Sequence, residues 1–437
     1  MSRTGPVVRR SAAVLAAAAM VLLAACGDSD SGSEGRSAEG DAPTLRLQVS
    51  GEPEETAVYA AVAEAWEQEN PGARVEVVAV PEKPDHLARL ATSFAAGNPP
   101  DVFLVNFREY AQFVARGAIE PAGPLLEDRG IDLDDYFEPP VEAFTYDGAL
   151  QCMPQNISSL VVYWNTALFE ERGVEPPQPG WSFEEFEATA RELTDEAAGM
   201  RGVGIASDLI RMAPFVWSAG GDIVDDIDEP TRLTLDTPEA RAGVEAVVGL
   251  ARDGLMPTEE ELAAQDLETR FVTGKLGMFL SSRREVPVMR EVDGLEWDVA
   301  ALPVIGEPAS ILHSDAYCIS ADGKNVEAAA DLVAFAAGKQ AQTIAALGGR
   351  TVPSLKSVAD SPAFLDPSRD PKSSGVFLDA VPLIRRTPVT PSWPEIEDIA
   401  EEQLTRAFYD GGDVGQYLAE IARQADPILA RDAESAG

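Results

Sequence analysis

The chain has 437 residues, with 74 acidic against 34 basic side chains and a formal net charge of −40. A field of that sign argues against nucleic acid and against broad contact with an anionic lipid surface. The length is large for one hydrophobic core and suits two lobes of roughly 150–200 residues each.

Arg3, Arg9 and Arg10 make a basic start, and an apolar run covers 12–25. That run is shorter than the roughly 20 residues a bilayer-spanning helix needs, so a cleaved signal peptide over 1–25 is expected. It ends in Leu23-Ala24-Ala25-Cys26, which resembles the lipobox of bacterial lipoproteins, whose cysteine carries the lipid. A Gly/Ser/Asp stretch follows to about Asp41 and buries almost nothing, which predicts a disordered tether over 26–42. Cys26 would thus anchor the chain outside the cytoplasmic membrane without spanning it.

From residue 45 strands and helices alternate. Strands are predicted over 45–49, 75–80 and 101–105. Between them, Val58, Val62 and Trp66 give a helix stopped by Asn70-Pro71-Gly72, and 87–96 gives a second. Trp66 falls on the apolar stripe and reads as core. The βαβαβ rhythm implies a doubly wound α/β lobe. Further strands are predicted over 160–164, 203–206, 275–280, 297–302 and 316–320. Ser182 and Glu185 form a capping box that opens a helix. Helices are also expected over 238–252, 395–409 and 414–429. Besides Cys26 the chain has only Cys152 and Cys318, and composition leaves open whether they are bonded or free.

Several segments, taken in order, resemble the maltose-binding-protein-like (family 1) extracellular solute-binding proteins of ABC-type sugar importers. They are Phe94-Ala95-Ala96-Gly97-Asn98-Pro99-Pro100-Asp101-Val102, then Met153-Pro154-Gln155-Asn156 leading into Val162-Tyr163-Trp164-Asn165. Gly173, Pro176 and Trp181 follow, with Trp217-Ser218-Ala219-Gly220-Gly221, Leu235-Asp236-Thr237-Pro238 and Phe271-Val272-Thr273-Gly274-Lys275. The resemblance implies a two-lobed periplasmic-binding-protein fold, with doubly wound sheets joined by a multi-strand hinge. Its parts would be a first lobe over 43–153 and 316–370, a second lobe over 154–315, and C-terminal helices over 371–437 that belong mainly to the second. It also implies crossings near 152–156 and 314–319, which would set Cys152 beside Cys318 as a disulfide.

The candidate ligand residues are those just after strands, where the cleft of an open α/β lobe lies. Sugars offer C–H faces to aromatic rings and paired hydroxyls to forked polar groups. On this basis Glu52, Asn106, Arg108, Asn156, Arg283, Asp315 and Arg350 are candidate polar contacts, with Arg284 the neighbouring choice to Arg283. Trp217 and Trp393 are candidate stacking platforms, with Gly221 and Asp222 beside the first. Each has a structural alternative: a helix cap for Glu52, surface ion pairing for the arginines, and plain core for the tryptophans.

Enzyme chemistry finds little support. His86 and His313 lack metal-ligand spacing, neither cysteine has a nearby histidine, and no G-x-S-x-G or P-loop motif is present. No cofactor or metal is expected. The expected function is capture of a mono- or oligosaccharide by a monomer that hands it to an ABC transporter permease. The alternatives are another solute (a polyamine, an amino acid or a metal chelate), or a surface sensor or adhesion lipoprotein on the same scaffold.

Overall fold

The computed structural model describes residues 43–51 and 53–436. The leader, the tether, the Cys26 anchor and Glu52 therefore lie outside the described residues. A single compact unit runs from Ala42 to Gly437.

The chain enters through β1 (Thr44–Ser50), with Leu45, Leu47 and Val49 buried. Helix α1 (Pro53–Glu69) then turns Tyr59, Val62 and Trp66 inward at spacings of three and four. The strand β2 (Arg74–Val80), helix α2 (Lys83–Ala95) and strand β3 (Val102–Asn106) follow. Both β2 and β3 pair parallel to β1. All five residues of β3 are buried, as a strand covered on both faces requires. Two short strands, β4 (Ile119–Glu120) and β5 (Met153–Pro154), lead to the first crossing.

The second sheet begins with β6 (Val161–Asn165). The capping box then opens α3 (Phe183–Leu193): Ser182 accepts from the Glu185 amide, and the Glu185 carboxylate accepts from the Ser182 amide. Next come β7 (Arg201–Gly204), α4 (Leu209–Ser218), α5 (Pro238–Arg252), β8 (Leu276–Ser281), α6 (Val286–Glu291) and β9 (Trp297–Ala300). The sheet order is β9-β6-β8-β7, with β8 antiparallel to β6 and parallel to β7. β7 starts two residues before the predicted 203–206. It lies so close to α3 that a Cβ on Gly202 would sit 1.8 Å from the Ala190 carbonyl oxygen, so only glycine fits there.

The chain then returns to the first sheet through β10 (Asp315–Ser320), giving the order β2-β1-β3-β10-β4 with β5 also paired to β10. β10 runs antiparallel to β3, β4 and β5. Beside this junction Cys152 and Cys318 form a buried disulfide, with an S–S distance of 1.98 Å. Helices α7 (Val326–Ala337) and α8 (Lys339–Gly348) close over the first sheet. The last two, α9 (Trp393–Tyr409) and α10 (Val414–Ala436), pack on α5 in the second half.

Two hydrophobic clusters result. The first joins Leu47, Phe103, Cys318 and Val333, and the second joins Val203, Val244, Leu404 and Leu418. The second sheet divides its faces between them. Val161, Tyr163 and Phe279 face the first cluster, while Val162, Met278 and Leu280 face the second, by the period-two alternation of strands. His86 serves the first half structurally: its buried ring bonds the Leu104 carbonyl at 2.8 Å and meets Gln48 Nε2 at 3.3 Å. Burial lowers its pKa and keeps it neutral. No helix among the described residues is long and apolar enough to cross a membrane.

Candidate functional site

The carboxyl ends of β1 and β3, the two crossings and the first turns of α4 and α9 surround a cavity of about 620 Å³. Its floor is a chain of hydrogen bonds across the crossings. Asn106 Nδ2 donates to Asp315 Oδ1 at 3.1 Å, and the Asp315 amide donates to Asn156 Oδ1 at 2.8 Å. Ser314 Oγ donates to the Asn156 carbonyl at 2.6 Å. Arg108 Nε is anchored on Asn106 Oδ1 at 3.0 Å. Each of these side chains is thereby held in one orientation before any solute arrives.

One ion pair crosses the cavity. Arg108, at the end of β3, donates from Nη1 to Glu397 Oε2 on α9 at 2.5 Å. The two residues belong to opposite halves, and both side chains are largely buried. Burial works against the Arg108 charge, but the Glu397 and Glu109 carboxylates outweigh it and hold the guanidinium above its usual value. Nearby, Lys83 pairs with Glu109, and Arg211 pairs with Asp208, the N-cap of α4, at 2.9 Å. Asp398 and Glu401 project from the same side of α9 as Glu397 and line the same cavity. Burial and then neighbouring carboxylates raise the pKa of both. His313 also lines the cavity, with Nε2 buried and without a protein partner. Burial, then Arg211 and Arg108, drive it well below its ordinary value, so the ring is neutral and offers a hydrogen bond. Thr351 Oγ1 is in the same position.

Behind Arg284, which lines the cavity, lies a carboxyl pair. Glu285 is buried and accepts from Ser281 Oγ at 2.7 Å and Arg284 Nε at 2.8 Å. Burial opposes its charge, yet Arg284 and the bond from Glu268 hold it low. Burial, then Glu285, push Glu268 up to about 8, so at neutral pH Glu268 keeps its proton and donates it to Glu285. A carboxyl whose folded-state pKa is raised contributes its full stability below about 4.5 and loses it as pH climbs through about 8. Glu268→Gln removes the titrating charge and keeps a donor. Its melting temperature should therefore gain on the wild type from pH 5 to about pH 8 and level off above. Parallel curves would rule the shared proton out.

Of the residues expected from sequence, Asn106, Arg108, Asn156, Asp315 and Arg350 come together around this one cavity. Others do not. Trp217 is buried, its indole donating to Asp222 Oδ1 at 3.0 Å, with the Arg385 guanidinium 4.8 Å from the ring centroid. Arg385 also pairs with Asp222 at 2.6 Å, so this group is a structural clasp, and neither Trp217 nor Asp222 lines the cavity. Gly221 lets the turn after α4 approach the first turn of α5, since a Cβ there would meet the Ala240 nitrogen at 2.5 Å. Arg283 points into the core between Phe364 and Phe377, and its neighbour Arg284 takes the place expected of it. Trp393 is fully buried, so it offers no stacking face. Its indole donates to Glu397 Oε1 at 2.8 Å and so holds the carboxylate that meets Arg108.

Sequence reasoning missed Asp208, Arg211, His313, Thr351, Glu397, Asp398 and Glu401. The available signal was on α9, where the polar positions 397, 398 and 401 flank the apolar stripe of Ile396, Ala400 and Leu404. No Phe, Tyr or Trp ring lines the cavity among the described residues. Nor does any group of three or more His, Cys, Asp or Glu side chains stand ready to hold a metal ion there or elsewhere in them.

Comparison with known proteins gives a consistent picture. A family model described as bacterial extracellular solute-binding protein matches residues 61–372. A binding protein of Brucella abortus is 26% identical over 404 residues, covering 89% of this chain and 94% of that one. The galactooligosaccharide-binding protein of Bacillus subtilis is 24% identical over 427 residues, covering 94% of this chain and 95% of that one. Among solved structures, an ABC substrate-binding protein of Listeria monocytogenes in complex with cycloalternan superposes with a TM-score of 0.83 at 21% identity. That match covers 89% of this chain and 99% of the other.

Proposed function

We propose that this chain, which belongs to the bacterial extracellular solute-binding protein family, captures a mono- or oligosaccharide in the Arg108–Glu397 cleft and delivers it to an ABC transporter permease. The observation that carries the reading is the preorganised line Arg108–Asn106–Asp315–Asn156. It sets a guanidinium, amides and a carboxylate along one floor, as paired hydroxyls require. His313 Nε2 and Thr351 Oγ1 add hydrogen-bonding atoms that no protein group uses. The galactooligosaccharide-binding relative supports the same solute class.

The mechanism is closure. Arg108 and Glu397 stand on opposite halves, so contacts that join them exist only while the cleft is shut. A solute that adds contacts to both walls shifts the equilibrium toward the shut form, and the permease reads that form. The lobes move about the crossings beside β5 and β10. Thermal melting in the presence of sugars, polyamines, amino acids and glycerol phosphates tests the solute class. A sugar at a hundred times its Kd should add about 2.7 kcal/mol of stability. If only a charged solute stabilises the protein, the carbohydrate reading fails. That rival reading has its own support in a cleft lined by charges and, among the described residues, without Phe, Tyr or Trp.

The export route completes the proposal. Cys26 would carry the lipid that keeps the binding protein beside its permease, with 27–42 as the tether. Cys26→Ser should move the protein from the membrane fraction to the medium or periplasm. Retention in the membrane would remove the anchor from the picture.

A further inference from the structure

Away from the cleft, two arginines sit in the protein without the carboxylates that buried cations need. Arg283, just past β8, is fully buried, with the Phe364 and Phe377 ring centroids 4.3 and 5.1 Å from its guanidinium carbon. Its Nη1 makes one long bond to Ser374 Oγ at 3.5 Å, while Nε and Nη2 have no partner. Arg290, at the end of α6, donates from Nε to the Asp370 carbonyl at 2.6 Å and leaves a buried Nη1 without a partner. Gly349 makes room for that guanidinium, since a Cβ there would lie 2.3 Å from Nη1. Burial pulls Arg283 down to about 9, and the nearby Arg290 and Arg369 add to the fall. Burial and then Arg369 take Arg290 down to about 10. Asp366 and Asp370 act on Arg290 through space, but neither reaches it as an ion pair among the described residues.

An uncompensated cation inside a protein costs several kcal/mol. Arg283 is such a cation, and the half-buried Arg290 and Arg369 act on it through space, so an anion from outside the chain would supply the missing negative charge. The shape of the gap says what kind. Nε–H and Nη2–H point the same way from one edge of the guanidinium, with the spacing that matches two oxygens of one anion. We propose that Arg283 and Arg290 bind a small inorganic oxyanion. The free Nε/Nη2 edge of Arg283 takes two oxygens and Arg290 Nη1 takes a third. Arg290 and Arg369 line a surface depression of about 630 Å³ together with the Glu291 carboxylate; Arg283 does not line it, so the anion would enter past Arg290. Arg283 precedes Arg284, a cleft residue, so the bound anion braces the strand end that carries part of the solute site.

The experiment follows the melting temperature and the heat of binding of the intact protein with sodium sulfate or phosphate. Ionic strength is held constant with sodium chloride. The expected result is a saturable rise with either oxyanion. Arg283→Met, which keeps an apolar body between the rings, should abolish it, and so should Arg283→Lys, which keeps the charge without the edge. Arg290→Gln should weaken binding about tenfold, a change of about 1.4 kcal/mol. Arg108→Gln, in the cleft, should leave the response intact. The proposal is overturned if chloride matches the oxyanions, if the response survives both Arg283→Met and Arg290→Gln, or if Arg108→Gln alone removes it. Should the Arg283 variants fail to fold, Arg290→Gln decides the matter.

Discussion

Arg108→Ala should weaken solute binding by about 30- to 150-fold, the effect of losing about 2–3 kcal/mol from a largely buried, hydrogen-bonded charge pair. Three consequences act together. The variant removes a donor fork from the cleft floor, frees Asn106 from its anchor, and leaves Glu397 beside Asp398 and Glu401 without its ion-pair partner. The last is the largest, because burial and then neighbouring carboxylates, Glu397 among them, already raise the pKa values of Asp398 and Glu401. Without Arg108 the α9 wall has less reason to meet the opposite wall, and the open form gains. Titration calorimetry measures the affinity, and small-angle scattering of the solute-free protein measures the opening. Glu397→Ala added to Arg108→Ala should restore part of the loss, since it also removes the stranded charge. An affinity within twofold of wild type in the single variant would show that the pair does not hold the cleft shut.

Cys152→Ala/Cys318→Ala should cost about 5 kcal/mol of stability on loop entropy alone, for cysteines 166 residues apart. Measured losses for native disulfides run at about 2–5 kcal/mol, and full burial of both sulfurs places this bond where replacement also leaves a packing gap. The bond ties the segment before β5 to β10, on either side of the crossings. Solute binding should persist in the double variant at low temperature, while its denaturation midpoint falls. An unchanged midpoint would mean that the β5–β10 pairing alone holds the junction.

Much of this architecture is legible in the sequence because local periodicity and global burial agree. β3 carries the apolar run of a covered strand, β1 alternates with Leu45, Leu47 and Val49 inward, β2 is an apolar-rich edge strand left partly exposed, and α1 carries its stripe through Tyr59, Val62 and Trp66. Agreement fails where polar residues are too few to mark the period. α7 reads VEAAADLVAFAA, whose polar face is only Glu327 and Asp331, and no helix is predicted there. α4 hides for another reason, since Pro214 interrupts its pattern and Trp217 invites a reading as a ligand platform. In the site, the strand-end rule finds Asn106 and Arg108, while the crossings implied by the resemblance point to Asn156 and Asp315. The aromatic rule fails because a tryptophan brings about 200 Å² of apolar surface, and Trp217 and Trp393 place theirs in the second core. Glu397, Asp398 and Glu401 escape because their role depends on how α9 packs, which no local stretch of sequence encodes.

Helix α9 has one consequence for how such a protein changes over generations. Its inward stripe of Ile396, Ala400 and Leu404 belongs to the core, while 397, 398 and 401 belong to the cleft. On the proposed reading, stability and selectivity are thus written on adjoining faces of one rod. Substitutions at Asp398 or Glu401 would then alter which solutes are accepted while leaving the interior untouched, so a lineage could explore new nutrients there without risking the fold.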